Sequence, residues 1–119
     1  MPDNLLEVHQ LTKRYGSFTA VDGISFGVPR GKIVGLLGPN GAGKTTTIHM
    51  LVGTTLADGG SVRYFGLELA HHRQECLQRI NFTSSFHTLQ NRISVWENLV
   101  VFPLLYGLQK PERKIRELA

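Results

Sequence analysis

Residues 38–47, GPNGAGKTTT, combine glycines with a Lys-Thr pair, the residue types that together bind phosphate chains. Gly38–Thr45 satisfies the pattern G-x-x-x-x-G-K-[ST] at every position. Glycines permit left-handed backbone angles, so the N–H groups of such a loop can point inward at anionic oxygens. Lys44 can reach the β- and γ-phosphates of a nucleotide, and the Thr45 hydroxyl can bind Mg²⁺. We therefore predict a nucleotide phosphate site, against the alternative of a glycine turn with an incidental lysine.

A phosphate loop of this kind needs a buried strand before it and a helix after it. The run Ile33–Leu37 is short, continuous and apolar, which predicts a buried strand. Lys44–Gly53 reads as a helix ending at glycine. The positive end of that helix would then face the same phosphates as the loop amides.

The flanking segments predict further strands around this centre. Leu5–Thr12 and Gly23–Pro29 have β-prone patterns and are predicted to be antiparallel neighbours, with a turn at Gly16–Ser17 between them. A strand is also predicted at Ser61–Phe65, and a short helix within residues 71–80. The order of these elements indicates an α/β protein.

The last thirty residues predict helices. Ser94 and Glu97 have capping-box spacing, so a helix should begin there and run to Gly107, with a kink at Pro103. Pro111 is expected to open a final helix. That helix has no capping signal before the sequence stops, and we interpret the chain as a front end that stops inside an element.

Composition excludes several classes of protein. With 119 residues the chain holds at most one domain, and its single cysteine, Cys76, allows no internal disulfide, which favours a reducing, cytosolic setting. The apolar stretch Leu99–Leu108 is about half the length of a membrane span, and Met1 looks like a true start with no secretory signal after it. The net charge of +4 is spread among acidic residues, as in Lys110–Leu118, so no nucleic-acid partner is expected.

One long segment resembles the opening of an ATP-binding-cassette (ABC) ATPase domain. It is Leu11–Gly66, LTKRYGSFTAVDGISFGVPRGKIVGLLGPNGAGKTTTIHMLVGTTLADGGSVRYFG. The likeness continues through ISVWENLVVFPLLYGL and is strongest to exporter-type, ABC-2-like cassettes. It implies an incomplete P-loop NTPase fold of the ABC type: an N-terminal antiparallel β part, the P-loop strand and helix, and the start of a helical subdomain. The implied parts are a nucleotide-binding core and β part at about residues 1–85 and the helical start at about 86–119.

The resemblance also assigns roles to single residues. Tyr15 would stack on the adenine of ATP, although a tyrosine packed at a strand end is the alternative. Mg²⁺ would be held by Thr45. The phosphates would be bound by Gly38, Asn40, Gly41, Ala42, Gly43, Lys44, Thr45 and Thr46.

One position departs from the family pattern. Cassettes of this type usually place a glutamine after the strand that follows the first helices, where it meets Mg²⁺ and the membrane partner. Ser85 occupies that position here, and its shorter hydroxyl would act through water. Gln90 lies five residues later and is the alternative. The sequence leaves open which of them contacts the metal.

Three catalytic pieces of the family cannot be found in this sequence: the Ser-Gly-Gly-Gln-type signature, the apolar strand ending in Asp-Glu, and the switch histidine. No residue of the chain is therefore assigned as catalytic, and the chain alone is not expected to hydrolyse ATP. Part of its core should also be exposed, since a parallel sheet needs later strands. We therefore predict poor solubility or self-association.

For the complete protein, the resemblance implies ATP hydrolysis by two cassettes arranged head to tail, driving export through a transmembrane permease. The location would be cytoplasmic, peripheral on the inner face of the cell membrane. Two alternatives stay open: a module that binds ATP–Mg²⁺ without hydrolysing it, and a soluble cassette protein that acts on ribosomes or DNA.

Overall fold

The computed structural model describes residues 3–39, 41–83, 92, 94–105, 107 and 109–118. It divides into two compact units, Met1–Phe82 and Thr83–Ala119. The boundary expected near residues 85 and 86 lies outside the described residues and stays a prediction.

The first unit begins with a long β-hairpin. Strand β1 spans Asn4–Tyr15 and strand β2 spans Phe18–Pro29, and the two pair antiparallel as predicted. Both are longer than expected, since they continue to a turn of only two residues, Gly16–Ser17. A tight turn of this kind is favoured when its first residue has a positive φ, and Gly16 has φ 60°. Strands β1 and β2 are therefore paired up to the turn at the tip of the hairpin.

Two further strands complete the described sheet. Strand β3 spans Gly59–Tyr64 and pairs antiparallel with β1, and the short strand β4 spans Leu67–Glu68 beside β3. Within the described residues the order is β2-β1-β3-β4. The strand predicted at Ser61–Phe65 begins two residues earlier, at Gly59. It ends one residue earlier, at Tyr64, because Phe65 has φ 55°.

Helix α1, Lys44–Leu51, contributes Met50 and Leu51 to the core that it shares with the sheet. Its last carbonyl, that of Leu51, accepts a hydrogen bond of 2.7 Å from the Tyr64 hydroxyl of β3. Burial raises the pKa of Tyr64 to about 12. Helix α1 is thereby fixed at its C-terminal end, and this positions its N-terminal end. The buried apolar cluster is formed by Val8, Leu11, Val21, Met50, Leu51, Val62, Tyr64, Leu69 and Cys76.

The run Ile33–Leu37 corrects a prediction. We expected a buried strand, but residues 32–39 pair with no strand of the described part of the chain. Ile33 is 101% exposed and Leu37 is 92% exposed. A segment of this kind is buried only when strands on both sides and helices on both faces cover it. Each described strand pairs only with other members of the antiparallel sheet, and none of them pairs with the run.

Helix α2, Arg73–Gln78, lies within the segment where a short helix was predicted. Helix α3 spans Val95–Leu105 in the second unit, and its predicted capping box is present. The Ser94 N–H donates to the Glu97 carboxylate at 2.6 Å, and the Glu97 N–H donates to the Ser94 hydroxyl at 3.1 Å. The first of these bonds lowers the pKa of Glu97.

Helix α4, Pro111–Leu118, opens at its proline as predicted. In the same unit, the Arg116 guanidinium lies 5.6 Å from the centre of the Trp96 ring. None of the described helices reaches the length and hydropathy of a membrane span.

Candidate functional site

The glycine-rich loop leads directly into α1. Gly41 and Gly43 have φ 85° and 88°, in the left-handed region that glycine adopts without strain. Gly43 is the residue that caps the helix, and the Thr47 N–H donates to its carbonyl at 2.9 Å. The buried Thr47 hydroxyl donates to the same carbonyl at 2.8 Å. These two hydrogen bonds from Thr47 fix the last residue of the loop, Gly43, to the first turn of the helix.

Gly43 is also required by its neighbours. A β-carbon at this position would lie 2.4 Å from the carbonyl oxygen of Ala20, which is backbone of β2. That distance is too short for any real contact, so the loop can approach the hairpin only because residue 43 has no side chain. The close approach sets the distance between the loop and β2.

The start of α1 offers donors to an anion. The first N–H groups of any helix have no partner inside the helix, and the amides of Lys44, Thr45 and Thr46 have no backbone acceptor in the described structure. No acidic residue lies in the first turn, so the positive end of the helix is not neutralised there. The Ala42 amide is used within the loop, where it donates to the Pro39 carbonyl at 3.1 Å.

Lys44 lies across the loop, with its ammonium group donating to the carbonyl of Gly38. The side chain therefore folds back over the residues that precede it. In this position the ammonium is beside the turn that the sequence predicted as a phosphate site. A phosphate oxygen could replace the carbonyl as its acceptor and gain a charge-assisted bond.

A cleft of about 390 Å³ lies against the loop. Its lining joins the residues of the motif to one side of β2, and consists of Phe18, Ala20, Gly41, Gly43, Lys44, Thr45 and Thr46. The sequence analysis missed Phe18 and Ala20. The signal available was their i, i+2 spacing, which places both on one face of a strand, but only the tertiary structure shows that this face meets the loop.

Tyr15 lies at the tip of the hairpin and is 52% exposed. The Lys13 ammonium is 5.2 Å from the centre of its ring. Tyr15 does not line the cleft, but it pairs directly with Phe18, which does. An exposed ring beside the cleft is compatible with stacking on a base, and the role of Tyr15 stays a prediction.

Three residues named in the sequence analysis, Asn40, Ser85 and Gln90, lie outside the described residues. The assignment of Ser85 to Mg²⁺ therefore stays a prediction. The Thr45 side chain is exposed at the cleft, and its hydroxyl is a suitable ligand for a hard cation such as Mg²⁺. Within the described residues no three His, Cys, Asp or Glu side chains gather into a metal site.

A second cavity, of about 230 Å³, lies at the other end of α1. Its charged lining residues are Glu68 and Arg73, and Arg73 already donates to the carbonyl of Gly53. Among the described residues, its lining includes no part of the glycine-rich motif, and the helix that begins there, at Arg73, has only six residues, so we place the candidate site at the cleft beside Lys44.

Comparison with known proteins identifies the family. A sequence profile described as ABC transporter matches residues 21–119. The chain belongs to the ABC transporter family. Nod factor export ATP-binding protein I from Ralstonia nicotianae is 44% identical over 113 residues, which cover 95% of this chain and 35% of that protein. The probable multidrug ABC transporter ATP-binding protein YbhF of Escherichia coli K12 is 36% identical, over 90% of this chain and 18% of that protein.

A solved structure described as the ATP-binding subunit of an ABC transporter superposes with a TM-score of 0.83 at 30% identity. The match covers 94% of this chain and 47% of that one. The predicted fold class is confirmed: the chain has the N-terminal part of the α/β P-loop fold of an ABC nucleotide-binding domain. It spans about a third, or less, of the length of the two curated relatives.

Proposed function

We propose that this chain binds ATP with Mg²⁺ at the cleft beside α1, as part of the ATPase of an ABC transporter. The observation that carries the proposal is the convergence of helix amides, the Lys44 ammonium and the Thr45 hydroxyl on one open cleft. Those groups match a phosphate chain in charge and in hydrogen bonding. The family membership and the names of the relatives support the choice of ATP.

Each residue has a defined part in binding. Gly41 and Gly43 shape the loop, the amides of residues 44–46 donate to phosphate oxygens, and Lys44 moves from the Gly38 carbonyl to the β- and γ-phosphates. Tyr15 stacks on the adenine. Mg²⁺, bound through Thr45 and in our proposal near Ser85, supplies charge neutralisation to the phosphates when present.

Hydrolysis is proposed for the complete protein and not for residues 1–119 alone. Among the described residues, the side chains that line the cleft include no carboxylate and no histidine. A group of that kind is needed to orient the attacking water. We infer that it comes from residues outside this chain or from the second cassette of a head-to-tail dimer.

The proposed role of the complete protein is to drive export through a transmembrane permease, from the cytoplasmic face of the membrane. The relatives named for Nod factor export and for multidrug transport support export as the direction. Co-purification of the full-length gene product with membranes and a permease is the expected result. Co-purification with ribosomes or DNA instead would favour the soluble alternative.

Calorimetry with Mg-ATP tests the central proposal. The full-length gene product should bind, and Lys44→Ala should weaken binding by at least tenfold because the ammonium–phosphate interaction is lost. The matched control is Lys114→Ala, which removes an equal charge from an exposed position of α4. No binding by folded wild-type protein, or equal loss in both variants, would refute the phosphate site.

A further inference from the structure

Phe18 forms an aromatic side of the cleft that neither the motif nor the family comparison assigns. It is the first residue of β2 and is 61% exposed, and it shares the cleft with Lys44 and Thr45. A side chain this exposed removes little apolar surface from water, so it contributes little to the core. Phe18 also lies outside the buried cluster and outside the apolar residues packed against that cluster.

The position of Phe18 along β2 places it just beyond the phosphate loop. Ala20, two residues later on the same face, is the residue whose carbonyl abuts Gly43. Because a strand rises about 3.3 Å per residue, Phe18 lies roughly 7 Å further along the hairpin. A nucleotide held by its phosphates at the loop would extend its sugar over that distance.

The register of the hairpin determines how Phe18 lies relative to Tyr15. Tyr15 and Phe18 are direct partners across the two-residue turn. Directly opposed residues of an antiparallel pair project to the same face, with their β-carbons about 5 Å apart. A base stacked on Tyr15 and phosphates at Lys44 would therefore have the sugar between them, at Phe18.

We propose that Phe18 is a nucleoside-contacting residue, whose ring packs against the sugar and the adjoining edge of the base and extends the aromatic surface begun by Tyr15. This rests on the proposed function, since it requires phosphates at the loop. The contact is apolar and specific to the nucleoside part of the ligand. Binding of the phosphate chain alone does not involve Phe18.

The test compares two probes on the full-length gene product: Mg-ATP and inorganic triphosphate. Phe18→Ala should weaken Mg-ATP binding about five- to tenfold, as expected for the loss of one ring contact, and leave inorganic triphosphate binding unchanged. Phe18→Trp should restore Mg-ATP affinity to within about twofold, because a larger ring keeps the surface. Both affinities can be measured by calorimetry.

A matched control is Leu56→Ala, which shortens another exposed apolar side chain of the same unit, beyond the opposite end of α1. It should change neither affinity. Lys44→Ala should weaken both probes, which checks the phosphate site separately.

Three outcomes would overturn the inference. If Phe18→Ala leaves Mg-ATP affinity intact while Lys44→Ala destroys it, the proposed function stands and the role of Phe18 is wrong. Equal loss of both probes in Phe18→Ala would mean that the ring only positions the loop. Absence of Mg-ATP binding in folded wild-type protein would remove the proposed function and this inference with it.

Discussion

The antiparallel sheet and the run Ile33–Leu37 are both apolar and β-prone, but only the sheet contributes buried side chains to the described core. Leu11 in β1 is completely buried, whereas Leu37 is 92% exposed. Strands β1 and β2 find each other across a two-residue turn, so their partner is local in sequence. A run that enters a parallel sheet needs partners and covering helices that lie far away in sequence. The chain spans 35% of one exporter relative, and the described part of it supplies no such partner.

The largest expected effect on stability is in the antiparallel sheet. Leu11→Ala should lower the free energy of unfolding of the sheet by about 2–5 kcal/mol, because it leaves a cavity in a site with 0% exposure. Hydrogen exchange of the β1 amides measures the change. The control is Leu37→Ala in the same 119-residue chain, and a loss of similar size there would mean that the run is covered after all.

The second prediction concerns Gly43, where the glycine-rich loop that follows the run approaches β2 of the sheet. Gly43→Ala should cost about 2 kcal/mol in stability, since φ 88° is strained for alanine and its β-carbon would press on the Ala20 carbonyl. Mg-ATP affinity should fall as well, because the loop is displaced. Chemical denaturation and calorimetry measure the two effects.

Gly41→Ala is the matched control for that junction. Its φ of 85° brings the same strain, but a β-carbon there would meet no atom within 4 Å. It should therefore destabilise less than Gly43→Ala. Equal losses in the two variants would show that backbone strain alone, and not the contact with β2, requires glycine at position 43.

The third prediction tests how the sheet holds α1. Tyr64→Phe should cost about 1 kcal/mol, since the Leu51 carbonyl loses the 2.7 Å bond from the Tyr64 hydroxyl. The pKa of Tyr64 is raised to about 12 from 10.0 by burial, so its contribution is complete below pH 10 and declines above it as the unfolded chain ionises first. Stability curves against pH should therefore fall less steeply above pH 10 in Tyr64→Phe. Identical alkaline slopes for both proteins would contradict this.

The smallest effect on stability is expected in the exposed run Ile33–Leu37. Leu37→Lys in the 119-residue chain should change unfolding by less than about 0.5 kcal/mol, because an exposed side chain makes few contacts. It should nevertheless reduce self-association, since it charges an exposed apolar patch. Sedimentation velocity measures the oligomeric distribution. A wild-type chain that is monomeric and melts reversibly would refute the prediction of self-association.

The local features of the fold were predictable, and the long-range ones were not. The capping box at Ser94, the opening of α4 at Pro111 and the turn at Gly16–Ser17 depend on residues within three or four positions, and the structure confirms each. The extension of β1 to Tyr15 was missed, because its polar residues 13 and 14 break the apolar pattern. Pairing with β2 and the bond from the Arg14 N–H to Asp58, at 2.7 Å, hold that part of the strand.

The sequence by itself determined the glycine-rich loop and the helix that follows it, because glycine torsions and a helix start are properties of adjacent residues. Phosphate binding by this loop stays a prediction. Only the tertiary structure showed that Phe18 and Ala20 face this loop, that Gly43 must pass the Ala20 carbonyl, and that Ile33–Leu37 lies open. Those facts depend on strand register and on which segments supply partners. A local sequence pattern does not predict strand register or partner segments, because both depend on residues that are distant along the chain.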